Sequence, residues 1–145
     1  MIDPTRFVRQ KILTALTGNI SSGGSVVPVY GSVPSTATFP YIRVYGVDLN
    51  EVDQNRTSFT TEVTTRIEVV TRFITDNGGE LTANTLISNC LNLLRVREGN
   101  YINLASDGFK VYTSVAESIN YLREDTKSHT YYRAILELQN RVMEI

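Results

Sequence analysis

The sequence predicts an α+β domain: a mostly antiparallel sheet with two main helices packed on one face and an extended loop or hairpin beside it. Three observations carry this expectation. Residues 62–74 alternate strictly, with Val63, Thr65, Ile67, Val69, Thr71 and Phe73 on one side and Glu62, Thr64, Arg66, Glu68, Val70 and Arg72 on the other. Leu81, Thr85, Leu86, Cys90, Leu93 and Leu94 recur at three- and four-residue spacing, which predicts a helix. Tyr131 to Val142 alternates again, with Tyr132, Ala134, Leu136 and Leu138 on one face.

The remaining elements can be placed in chain order. Asp3 before Pro4 reads as a helix cap with proline at the first helical position, where its missing N–H is harmless. Val8, Ile12, Ala15 and Leu16, flanked by Phe7 and Leu13, form an apolar stripe, while Arg6, Arg9, Gln10 and Lys11 face water; Gly18-Asn19 ends this helix. Ser21 to Ser25 reads as a flexible connection without regular structure. Val26 to Tyr30 is a short strand or extended arm, and Pro34 and Pro40 restrict the segment 28–40 to an edge strand and then a loop. Tyr41 to Val47 is a strand with Tyr41, Arg43 and Tyr45 on one face and Ile42, Val44 and Gly46 on the other; Asp48 to Thr60 reads as a loop or hairpin tip. Asp76-Asn77-Gly78-Gly79 breaks the chain before the second helix. Gly99 to Gly108 is turn-rich, with Tyr101, Ile102 and Leu104 as a candidate short strand; Phe109 to Val115 is a strand and Ala116 to Ser128 a polar connection.

Composition narrows the function classes. The 145 residues make one domain, 1–145, with 41% hydrophobic and 20% charged residues, enough to bury a core. A net charge of −1 gives no overall pull on phosphate backbones. One cysteine, Cys90, and one histidine, His129, exclude an internal disulfide and a four-ligand N/S zinc site. No apolar run approaches a membrane helix and the first residues lack a signal-peptide core, so a soluble protein made in the cytosol of its cell or host is expected.

The chain carries no G-x-G-x-x-G, no Walker-type loop, no G-x-S-x-G and no H-E-x-x-H, and neither cofactor nor metal is expected. His129, between Ser128 and Thr130, is the one residue suited to proton transfer near neutral pH, but its polar neighbours read as a loop. Cys90 lies on an apolar helix stripe as a small hydrophobe. Asp48, Glu51 and Asp53 cluster without the pattern of a calcium loop. The constellation of most interest is Arg66, Glu68 and Arg72 on the longest strand with Arg133, Glu137 and Arg141 on the last. If the two strands are neighbours, opposite charges pair across the sheet, leaving a solvated face, a subunit contact, or a channel lining that DNA passes without sticking. Tyr41, Arg43 and Tyr45 supply an alternative: a small ligand- or nucleic-acid-binding module that stacks bases and contacts phosphate.

The order of an amphipathic first helix, Val29-Tyr30 with Ser32-Val33-Pro34, and then Phe39-Pro40-Tyr41-Ile42 resembles the tail-completion, or tail-terminator, proteins of tailed bacteriophages. The likeness extends through the polar segment 48–60, the alternating strand, the second helix and the closing strand. The resemblance implies a non-enzymatic virion protein, assembled in the host cytoplasm. It would form a homo-oligomeric ring, commonly a hexamer with a dodecamer as the other count, where the neck meets the tail. It implies neck, portal-adaptor and tail proteins as neighbours, DNA through the ring, and no membrane partner. A closed ring of one subunit needs two unlike, complementary surfaces. The expected contacts are Val33, Pro34, Phe39 and Pro40 together with Asp48, Glu51, Asp53 and Arg56, with Arg66, Glu68, Arg72, Arg133, Glu137 and Arg141 as the polar or channel face.

Overall fold

A computed structural model describes residues 1–52, 58–96 and 102–145. The first helix, α1, spans Thr5–Leu16. It starts one residue later than the Asp3-Pro4 pair suggests: Pro4, not Asp3, takes the cap position, without a side-chain cap bond; its carbonyl accepts from the Phe7 and Val8 N–H groups, and the Asp3 carboxylate accepts from the Thr5 N–H at 2.8 Å. Ser21 to Ser25 is more regular than expected. Ser21–Ser22 (β1) pairs antiparallel with Ser25–Val26 (β2) around Gly23 and Gly24, whose φ values of 59° and 83° build the two-residue turn that only glycine adopts cheaply.

One five-stranded sheet carries the fold. Val29–Tyr30 (β3) lies parallel to Ile42 and Arg43 of β4, Tyr41–Glu51. Next come β5, Thr60–Ile74; the second helix α2, Leu81–Leu94; a single 3-10 turn, Ala105–Asp107; β6, Phe109–Asp125; and β7, His129–Glu144. The strand order is β3-β4-β5-β7-β6, antiparallel everywhere except β3 against β4. This is the α+β class read from the sequence.

Two expected connections prove to be strand. β4 continues to Glu51 past a bulge between Gly46 and Asp48 and pairs there with β5, so of the two readings of this segment residues 48–51 follow the extended hairpin and not the loop. The bulge shifts the phase, turning Leu49 inward onto the core while Asp48 and Asn50 stay exposed, and a simple alternation test fails there. Likewise Ala116 to Asp125 is the second half of a 17-residue edge strand, not a polar connection. Bulges between Val111 and Thr113 and between Ala116 and Ser118 interrupt its alternation, and both faces of its far end are exposed. Of the candidate strand at Tyr101, Ile102 and Leu104, Tyr101 lies outside the described residues; Ile102 and Leu104 are irregular, with Leu104 buried.

Both helices pack on one face of the sheet. Val8, Ile12 and Leu16 of α1 and Ala83, Leu86, Ile87, Cys90 and Leu94 of α2 close over Ile42, Val44, Val63, Ile67, Val69, Leu136, Leu138 and Val142. Full burial of such side chains contributes about 1.5–3 kcal/mol each. The α2 stripe is rotated from the one expected: Leu81 is 78% exposed, Thr85 and Leu93 also face out, and Ala83 and Ile87 take the inward positions. Among the described residues, no helix is long and apolar enough to cross a membrane.

Candidate functional site

The other face of the sheet has no helix over it among the described residues, and here the charged side chains meet. In the β5–β7 register Glu62 stands opposite Arg141 and Arg66 opposite Glu137. Arg141 Nη2 lies 2.6 Å from Glu62 Oε1, and Arg66 Nη2 donates to Glu137 Oε1. One step along the seam, Arg133 reaches diagonally to Glu68 at 2.8 Å and with its second nitrogen to Glu124 of β6 at 3.4 Å. Five of the six residues expected to share a polar face thus form one cross-strand ladder of ion pairs. The hydrogen bond to Glu137 and a second to the Tyr45 hydroxyl hold the Arg66 guanidinium even more firmly protonated than usual. Partly exposed pairs of this kind contribute 0 to about 1 kcal/mol each. Glu68, only 8% exposed, is the one charged group the ladder buries.

The sixth residue, Arg72, does not join the ladder. Its guanidinium lies 4.3 Å over the ring of Phe39, which precedes Pro40 across a cis peptide bond. Phe39 in turn packs against Tyr41 and Tyr131, at 5.2 and 5.7 Å between centroids, and Tyr41 meets Tyr30. Phe39 therefore clamps the loop 31–40 onto its own sheet, leaving Pro34 exposed and Val33 half-buried. Asp48 and Glu51 stand exposed on β4; Asp53 and Arg56 lie outside the described residues.

The alternative stacking surface is largely occupied from within. Arg43 lies 4.3 Å over Tyr45, and Tyr41 is covered by Phe39. His129 closes a tight turn, its Nδ1 2.8 Å from Ser128 Oγ and its carbonyl accepting from the Thr126 N–H. Beside it, Asp125 accepts from Thr130 Oγ1 and pairs with Arg123, and these contacts hold its carboxyl below the ordinary range. Cys90 is fully buried, and burial pushes its thiol up to about 12, far from a thiolate nucleophile. Among the described residues, no three His, Cys, Asp or Glu side chains converge on a metal position.

Two features of the site are not among the sequence-based expectations. Glu124 becomes a partner of Arg133 only because β6 runs on to Asp125, and the sequence offers no alternation there to show it, since residues 120–125 are exposed on both faces. The other is the pair of unlike sheet edges. Among the described residues, β6 has no partner on its outer side, while β3 covers only Ile42 and Arg43 of β4 and leaves Val44 to Glu51 open on the opposite side. No family model matches the chain, and no curated protein matches it.

Proposed function

We propose that this chain is a structural ring protein of a tailed-phage neck or tail, without enzymatic activity, which completes the tail and joins it to the head around the passing DNA. The observation that carries the reading is the presence of two different open edges on one sheet. A closed ring of one subunit needs a head-to-tail contact between unlike surfaces. The long edge of β6 and the lower half of β4 are such surfaces, on opposite sides of the molecule. The bulges on both edges and the short β3 discourage indiscriminate strand addition, which favours a closed assembly over an open fibre. The resemblance in the order of elements, with Val29 to Pro34 leading into Phe39 to Ile42, adds the phage context.

Light scattering on the purified chain, followed by negative-stain imaging, tests this reading. A discrete multiple of the 16.3 kDa chain, six copies being favoured, together with annular particles, is the expected result. A monomer at every concentration, alone and with co-expressed neck proteins, overturns it.

A further inference from the structure

We propose that neighbouring copies meet by antiparallel pairing of the open half of β4, residues 44–51, in one copy with residues 111–119 of β6 in the next; the inference rests on the ring reading and deepens it to a named contact. Sheet topology makes the two edges compatible. β4 runs antiparallel to β5, β5 to β7 and β7 to β6, so β4 and β6 point in opposite directions within every copy. Copies repeated head to tail with their sheets continuous therefore bring β4 against an oppositely running β6, the pairing that is slightly more stable per residue. Among the described residues, neither stretch has a strand partner on that side.

The two stretches also stand level. Through the registers of β5 and β7, Val44 aligns with Ile119, Gly46 with Ala116, Asp48 with Val115 and Asn50 with Thr113. No shift between copies is needed to bring the edges together. β4 exposes one large apolar side chain, Val47 at 41%, in its bulge between Gly46 and Asp48; Val115, 43% exposed, stands beside the same level on β6. Mutual contact would take both from water. The charges match one step further along. Glu117, the extra residue between Ala116 and Ser118, lies just beyond the Gly46 level, and the cleft that Gly46 shares with Val47 also holds Arg9. Both charged groups are exposed, and among the described residues neither is in an ion pair. Of the two acidic residues in that cleft, Asp48 falls level with Val115 and not with Glu117, and Asp3 is engaged by Thr5.

A second copy fits these edges better than an extended peptide from another protein. The bulges at Val47, Tyr112 and Glu117 bend both strands, which works against the addition of a straight peptide to either edge. A peptide also gives no reason for apolar and charged residues to stand at matching levels on opposite sides of one chain. The ion-pair ladder takes no part in the contact, because Arg66 with Glu137 and Arg141 with Glu62 are satisfied within one copy. The interface then has a small apolar centre at the two valines and a charged rim at Arg9 and Glu117. Placing like charges at that rim opposes association, and restoring unlike charges with the signs exchanged removes the opposition.

Two sets of variants test this, each checked for fold by circular dichroism. In sedimentation experiments Arg9→Glu and Glu117→Arg should each weaken association about tenfold, and the double reversal Arg9→Glu/Glu117→Arg should return it to within about threefold of wild type. Under mild oxidation, Val47→Cys co-expressed with Val115→Cys should give a covalent dimer that neither variant gives alone, since the native Cys90 is buried. A discrete oligomer indifferent to both reversals, losses that the double reversal does not rescue, no cross-link between copies, or cross-links only to a co-expressed neck protein overturns the proposal. Light scattering on the same samples separates the two readings. A ring that ignores these variants sinks only this inference. A dimer or open fibre whose assembly the double reversal restores keeps the contact and sinks only the closed ring, and a monomer at every concentration sinks both.

Discussion

Glu68 is where the open face has most to lose. Only 8% of it is exposed, and Arg133 donates to it at 2.8 Å, so removing the carboxylate strands a half-buried guanidinium with Glu124 alone. Glu68→Ala is expected to lower stability by about 2 kcal/mol. Glu62→Ala, whose partner Arg141 is close to half exposed, should cost less than about 1 kcal/mol. Urea denaturation of the two variants side by side checks the ordering, and equal effects would mean that burial does not set the value of these pairs. At this scale much is legible in the sequence. Alternation on residues 62–72 and 133–141 collects the charges of each strand on one face, so opposite charges can pair if the strands are neighbours; that Arg66 meets Glu137 and Arg141 meets Glu62 is set by the register. Arg133 is harder: its diagonal reach to Glu68 and its second partner depend on a register that residue types alone do not specify.

Among the elements, the second helix is legible to its terminal residues, 81–94, since the Asp76-Asn77-Gly78-Gly79 break and the apolar spacing agree there. The rotation of its stripe is not, because Leu81 and Leu93 look like core residues and Ala83 does not. The edge strand β6 shows only its first half in the sequence for a different reason: a strand that is wet on both faces needs no alternation, and its bulges break what alternation remains. The 76–79 turn itself supports a sharp prediction. Gly78 has φ 81°, and a Cβ there would lie 2.3 Å from the Phe73 ring, while at Gly79 a Cβ would meet open space. Gly78→Ala should therefore destabilise by more than about 1 kcal/mol and Gly79→Ala hardly at all. Thermal melts of the pair decide this, and a neutral Gly78→Ala would show that the turn relaxes freely.

For the molecule as a whole, the class and the one-sided helix layer come from composition and periodicity, whereas sheet order depends on long-range pairing that no local pattern encodes. Its response to acid is set in part by two carboxylates. Asp3, held low mainly by the Thr5 side chain, and Asp125, held low mainly by Thr130, both titrate below the ordinary value of 3.8 when folded. The unfolded chain thus takes up their protons first, so their stabilising contribution is complete above that value and is lost as pH falls through the folded pKa values. Denaturation midpoints should drop on acidification below about pH 4, and Asp3→Asn should flatten part of that fall; an unchanged slope in the variant would exclude Asp3 as a contributor. The second bulge in β6, between Ala116 and Ser118, bears on how the length of this strand is tied to its faces. Because Glu117 sits as a supernumerary residue between Ala116, which faces the helices, and Ser118, which faces away, deleting it would join two stretches already in the correct phase. Losing that residue would therefore leave the far end of the hairpin facing as it does, so at this point of the outer rim chain length is uncoupled from side-chain orientation.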